Sequence, residues 1–170
     1  MKYYLGIDPS LTGCAVAVIN ETGKFIDSCR FENKLKGVER LIYIRSSVRQ
    51  ILNTYGKDIE MICIEGYARG ARNRREEAGE LGGILRVMIY EYDLPYIDIA
   101  PSQIKKFATG KGNAQKDHIL LAVYKKWRVE FKTNDEADAF VAAQIARAMM
   151  EPVEALVYER EVLEKLKIGA

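Results

Sequence analysis

Cysteine, histidine and tryptophan are scarce in this chain: three, one and one among 170 residues. Cys14, Cys29 and Cys63 are too few, and odd in number, for a disulfide framework, and each lies in an apolar, strand-like run. The expectation is reduced, buried thiols in a cytoplasmic protein of a bacterium or a phage-infected host. Long apolar runs are missing too. The apolar stretches, such as residues 14–19 and 61–64, are far short of the ~20 residues of a membrane helix. Met1-Lys2-Tyr3-Tyr4 leads straight into a strand-like segment, so no signal or transit peptide is expected. There is no excess of one charge: 26 Lys+Arg face 24 Asp+Glu, a net +2. Any preference for nucleic acid must come from where the charges sit. No repeat or low-complexity segment is present. What remains, 48% apolar and 29% charged residues, is ordinary for a folded domain and argues against disorder.

The pattern predicts strands over residues 3–7, 13–19 and 24–31, with Asn20-Glu21-Thr22-Gly23 as the hairpin turn between the last two. A helix over 38–55 follows, its apolar positions Leu41, Ile44, Val48, Ile51 and Leu52 at three- and four-residue spacing and Gly56 as its stop. Residues 59–64 are almost continuously apolar, as in a strand buried on both faces. Beyond them the chain predicts a helix over 76–92, a strand over 95–100, a short helix from Pro101 to about Phe107, and a helix over 114–127 capped by Asn113. A last core helix over 135–150, capped by Asn134, ends at Glu151-Pro152, and an amphipathic helix is expected over 153–167. Residues 1–150 thus read as one domain and 151–170 as a helical tail. Three antiparallel strands followed by strands alternating with helices predict a mixed, five-stranded α/β sheet flanked by helices, an order that resembles the ribonuclease H-like fold.

Four acids fall at positions that chemistry can use. Asp8 ends the first strand and Glu65 the fourth. If those strands are parallel neighbours, ~4.8 Å apart, both carboxylates emerge at one edge. Asp135 and Asp138 are three apart on a helix, hence on one face, near the helix end whose dipole favours anions. Each has an ordinary reading: a turn-forming aspartate before Pro9, a strand-end acid, and helix N-terminal acids at Asp135 and Glu136. Asp138, embedded in Ala137 and Ala139-Phe140-Val141-Ala142-Ala143 with no cation near in sequence, is the hardest to explain without a partner. Jointly the four make a site for hard divalent cations. Two such ions suit attack of water on a phosphodiester, leaving a 5′ phosphate.

Gly6-Ile7-Asp8-Pro9-Ser10-Leu11-Thr12-Gly13, Ile64-Glu65, Ala100-Pro101-Ser102-Gln103-Ile104-Lys105-Lys106-Phe107-Ala108-Thr109-Gly110-Lys111-Gly112 and Asp135-Glu136-Ala137-Asp138-Ala139 together resemble the RuvC family of Holliday junction resolvases. The resemblance runs over about residues 3–145 in the family's order. It implies a homodimeric endodeoxyribonuclease, dependent on Mg²⁺ or Mn²⁺ with two ions per site, that places paired nicks in four-way DNA. It also implies Asp8, Glu65, Asp135 and Asp138 as the metal-binding catalytic acids and Lys105 and Lys116 as basic residues near the scissile backbone. The family's aromatic wedge after the glutamate has Tyr67 as its stand-in here. The arginine-dense loop and the tail beyond Pro152 depart from the cellular members and are more similar to a phage-encoded relative.

Arg69, Arg72, Arg74 and Arg75, set among glycines just after Glu65, favour phosphate binding over a merely solvated loop. Lys105, Lys106, Lys111 and Lys116 form a second basic set around a glycine-containing loop and a helix N-terminus. His118 is better read as a surface helix residue than as a general base. Gly79, Gly82 and Gly83 cost a helix ~1 kcal/mol each relative to alanine, which close backbone approach would justify. That approach is onto the sheet or onto a partner's helix, and Gly79, Leu81, Gly82, Leu85 and Met88 are expected at a two-fold interface, as this helix is in RuvC-like proteins. Other readings stay open: an actin-like ATPase, for which the chain is too short, another ribonuclease H-like nuclease acting on RNA/DNA hybrids or branched DNA, and a non-catalytic junction-binding protein. The sequence identifies no helicase or packaging partner.

Overall fold

Apolar side chains alternate across the strands and so divide between two layers, one on each face of a five-stranded sheet. The computed structural model describes residues 1–66 and 75–168, with Arg75, Lys116 and Ile168 described by backbone alone. The strands are β1 (Tyr3–Asp8), β2 (Gly13–Asn20), β3 (Phe25–Glu32), β4 (Ile59–Glu65) and β5 (Tyr96–Ile99). The helices are α1 (Gly37–Tyr55), α2 (Arg75–Glu91), α3 (Pro101–Thr109), α4 (Lys116–Trp127), α5 (Asn134–Met150) and α6 (Val157–Ile168). Sheet order is β3-β2-β1-β4-β5. β1 pairs antiparallel with β2 and β2 with β3, while β1–β4 and β4–β5 are parallel. The expected mixed α/β sheet is therefore present.

Leu5, Ile7, Val16, Val18, Ile62 and Ile64 point to one face, where α1 and α2 cover them with Ile44, Val48, Leu52, Leu81, Leu85 and Met88. Tyr4, Ala15, Ala17 and Cys63 point to the other face, against α5. Small residues let that helix come close: a Cβ built on Gly6 would overlap the backbone carbonyl of Ala139 and the amide of Ala143. No side chain other than hydrogen fits there. Cys14 and Cys63 are buried thiols and Cys29 is half-buried, all three free.

Several sequence expectations need correction. α5 is capped by Thr133, not Asn134. Thr133 sits in extended conformation, its oxygen accepts from the Glu136 N–H at 3.3 Å and its hydroxyl donates to the Glu136 carboxylate at 2.8 Å, so the N-cap and the first turn are tied by two hydrogen bonds. α4 starts at Lys116 after an extended Gln115 rather than under an Asn113 cap. α6 begins at Val157, beyond an irregular stretch that follows Pro152. Its Val162 and Leu163 join the core shared by α3 and α5, and the ion pair of the buried Glu159 with Lys126 ties it to α4.

The reading of α2 as an interface through Leu81, Leu85 and Met88 also fails. All three are fully buried against the chain's own sheet, and Gly82 is buried too. What α2 turns outward is Val87 and Tyr90, at 56% and 78% exposure, in line with Gly79 and Gly83, where an added Cβ would meet nothing within 4 Å.

Candidate metal centre and nucleic-acid face

Parallel register builds the centre. Ile7 stands opposite Ile64, so the next residue of each strand, Asp8 and Glu65, lies at the same sheet edge. Asp8 shares a face with Tyr4 and Gly6, and Glu65 with Cys63, and that is the face covered by α5. α5 contributes Asp138, immediately before the Ala139 carbonyl that touches Gly6. Ligand oxygens of Asp8, Glu65 and Asp138 all lie within 4.8 Å of one another, and all three side chains are half-buried. Asp138, expected to be buried, is half-buried beside the two strand-end acids.

The charges register on their surroundings. Burial, then the charges of Asp8 and Asp135, push the Cys14 thiol well above its ordinary pKa. Burial, then Asp98 and Glu65, do the same to Cys63. Both thiols are thus held protonated and inert. Three carboxylates at this spacing, with oxygen donors and no soft ligand among them, fit a hard divalent cation.

Asp135, one helical turn before Asp138, is not part of that group. Its Oδ2 accepts from Arg30 Nε at 2.8 Å, and both side chains are about three-quarters buried. The Arg30 guanidinium also pairs with Glu32. Sequence reasoning missed Arg30. The signal was there: hairpin register sets Ala15 beside both Asp8 and Arg30, so Arg30 stands on the acids' row, two strands from Asp8. Ser28, on the same face of β3, donates to the Glu136 carboxylate at 3.3 Å.

The basic residues are less gathered. Lys105 is half-buried on α3, and Lys111 is exposed in the loop that leaves α3 through Gly110, a left-handed cap at φ +80°. Lys106 carries an ion pair with Glu161 of α6, so the tail competes for one of the lysines expected to meet DNA. Arg75 and Lys116 open α2 and α4. Tyr67, Arg69, Arg72 and Arg74 lie outside the described residues. Their segment leaves from Gly66, whose N–H donates to the Ile99 carbonyl at 2.7 Å, directly beside Glu65. His118 is exposed on α4, by a shallow hollow that Lys125, Leu156 and Tyr158 also line.

Relatives carry the same architecture. A Synechococcus sp. (strain WH7803) protein named "Crossover junction endodeoxyribonuclease RuvC" is 27% identical over 146 residues, covering 82% of this chain and 94% of the relative. One of the same name from Rickettsia bellii (strain OSU 85-389) is 30% identical, over 82% and 92%. The Thermus thermophilus RuvC structure superposes with a TM-score of 0.69 at 22% identity, over 83% of this chain and 90% of that one. T. thermophilus RuvC in complex with Holliday junction substrate gives 0.70 at 21%, over 84% and 91%. At such identity these structures bear on the fold, which is the RuvC, ribonuclease H-like one. The family model described as "Crossover junction endodeoxyribonuclease RuvC" matches residues 4–146, and with the acids standing where that fold brings its strand ends and last core helix together, the chain belongs to the RuvC family.

Proposed function

We propose that the chain is a crossover junction endodeoxyribonuclease that resolves Holliday junctions by paired, symmetric nicks. The observation that carries this reading is the convergence of Asp8, Glu65 and Asp138 at one sheet edge within a family match over residues 4–146, nearly the whole sheet and most of α5. An acid cluster alone fits many hydrolases. In this family's setting it fits phosphodiester hydrolysis.

Asp8, Glu65 and Asp138 hold a divalent cation, Mg²⁺ or Mn²⁺, and Asp135 completes the set for a second. Such ions supply Lewis-acid polarisation of the phosphodiester and an acidified water. The chain's own part is positional. β1, β4 and α5 fix the carboxylates, the Gly6–Ala139 contact sets the depth of α5, and the half-buried site limits bulk water around the acids. Lys105, Lys111 and Lys116, with the arginines of residues 69–75, neutralise phosphates and hold the strand in register. Tyr67, two residues after the glutamate in the sequence, meets the junction centre. The DNA substrate places the work in the cytoplasm, and no helix among the described residues is long and apolar enough to cross a membrane.

Two symmetric nicks need two sites related by a two-fold axis. The surface suited to that contact is the outward stripe of α2, Gly79, Gly83, Val87 and Tyr90. Bare glycines four apart admit a second helix closely, and the exposed valine and tyrosine supply apolar area to bury.

The test is incubation of the purified chain and Mg²⁺ with a labelled four-way junction, a linear duplex and an RNA/DNA hybrid. Nicks at symmetric positions in opposed junction strands, with 5′ phosphates and little cutting of the other two, are expected. Preferential cutting of the hybrid would make it a different ribonuclease H-like nuclease. Binding without cutting of any substrate would reduce it to a junction-binding protein.

A further inference from the structure

We infer that Arg30 is a positioning residue that keeps Asp135 in a charge-paired reserve, so that the centre has two unequal cation positions. The first is the preassembled one on Asp8, Glu65 and Asp138. The second is available only as Asp135 exchanges the guanidinium for a cation. This rests on the divalent-cation reading of the acids.

The geometry is built for the pairing. Arg30 Nε lies 2.8 Å from Asp135 Oδ2, a charge-assisted hydrogen bond of ordinary length. Its guanidinium runs past Gly13, where a Cβ would overlap it. Gly13 thus leaves the room the side chain uses. Ala15, between Asp8 and Arg30 in the cross-strand row, is small enough to leave that approach open. Glu32 takes the guanidinium's other edge and gives it somewhere to remain when Asp135 lets go. Asp135 and Asp138 are a single turn apart on α5, so without a counter-charge the two carboxylates would repel each other. Arg30 supplies that charge. A cation using the bonded Asp135 oxygen must displace it, and the pair's partial burial makes the displacement costly.

The test is Mn²⁺ binding to the full-length protein without DNA, by calorimetry and by electron paramagnetic resonance. The wild type should take one ion tightly and a second at least tenfold more weakly. In Arg30→Gln the second affinity should rise about fivefold or more, with the first changed less than twofold. In the double variant Arg30→Gln/Asp135→Asn that gain should vanish. Arg30→Lys, which keeps the charge without the fork, should fall between wild type and Arg30→Gln, and it serves if Arg30→Gln does not fold.

Equal affinities in the wild type, or an Arg30→Gln isotherm unchanged from wild type, would overturn the proposal. So would a gain that persists in the double variant, since Arg30 would then act as a distant charge and not through Asp135. Failure of wild type to bind Mn²⁺ at all would sink the cation reading itself, a distinct result.

Discussion

Gly6 on β1 lies directly under the Ala139 carbonyl of α5, so close that even a methyl group on Gly6 would occupy the same space as backbone. The contact joins the strand that carries Asp8 to the helix that carries Asp138. It sets how far apart those two carboxylates stand.

Gly6→Ala must therefore move α5 off the sheet. Overpacking of side chains costs about 1–3 kcal/mol, and overlap with backbone belongs at or above the top of that range. Chemical denaturation should show a loss of about 3 kcal/mol or more. Any folded remainder should bind Mn²⁺ more weakly, since the third ligand has been displaced. A variant as stable as wild type would mean that the helix depth is set elsewhere.

Asp138→Asn keeps size and removes charge at the centre of the acid group. Losing a metal ligand forfeits several kcal/mol of transition-state stabilisation, roughly 10³-fold in cleavage rate. Junction affinity in a gel-shift assay with Ca²⁺ should stay within about threefold of wild type, because phosphate contacts come from the basic residues. Near-normal cutting would remove Asp138 from the metal set.

The α2 correction has opposite consequences on the helix's two sides. Tyr90→Glu, on the exposed stripe, should leave unfolding within about 0.5 kcal/mol of wild type while shifting sedimentation toward monomer at micromolar concentration. Leu85→Ala, fully buried, should cost about 2–5 kcal/mol by leaving a cavity. A Tyr90→Glu chain that still sediments as a dimer would place the two-fold contact on another surface.

The sequence made the acids legible because strand alternation and helix spacing are local rules. Asp8 and Glu65 end apolar runs, and Asp135 and Asp138 share a helical face. It left the α2 surface hidden because periodicity marks an apolar face without telling which neighbour covers it. Leu81, Leu85 and Met88 are needed by the sheet, and Tyr90 is left on the open side of the helix. Arg30 was hidden for another reason. Its partner lies 105 residues away in the chain, and only the hairpin register shows that they meet. At the start of α5, both Thr133 and Asn134 are good caps by type. The choice of Thr133 follows from Glu136, which stands three residues later and answers it.

Stability against pH should carry the mark of Tyr4, whose hydroxyl donates to Glu151 Oε1 at 2.6 Å. That hydrogen bond, with help from Lys2 and Arg147, holds the Glu151 carboxyl below its ordinary value. Burial, then the bond to Glu151, pushes the Tyr4 phenol well above its ordinary value. The depressed acid stabilises the fold fully above about pH 4.5 and loses that contribution as pH falls through its folded value. The raised phenol stabilises below about pH 10 and loses its contribution as pH climbs further. Urea unfolding across pH should show both slopes in wild type and a flatter profile at both ends in Tyr4→Phe. Parallel profiles would mean that other groups govern both limbs.

α5 also grips the far end of the β2–β3 hairpin. Gln144 Nε2 donates to the Gly23 carbonyl at 2.8 Å and Arg147 Nε to the Glu21 carbonyl at 2.7 Å, while the Asn20 side chain ties the turn to Thr22 and Lys24. One rod thus bears two acids at its front and clasps a loop at its back, gauging β3 against the acids along its length. A residue added to or removed from that loop would slide β3 by one place, exchanging Arg30 for a neighbour that points the opposite way. Asp135 would lose its companion through an edit made at the remote tip of a ribbon. The length of that loop is thus coupled mechanically to the chemistry at the other end of the helix.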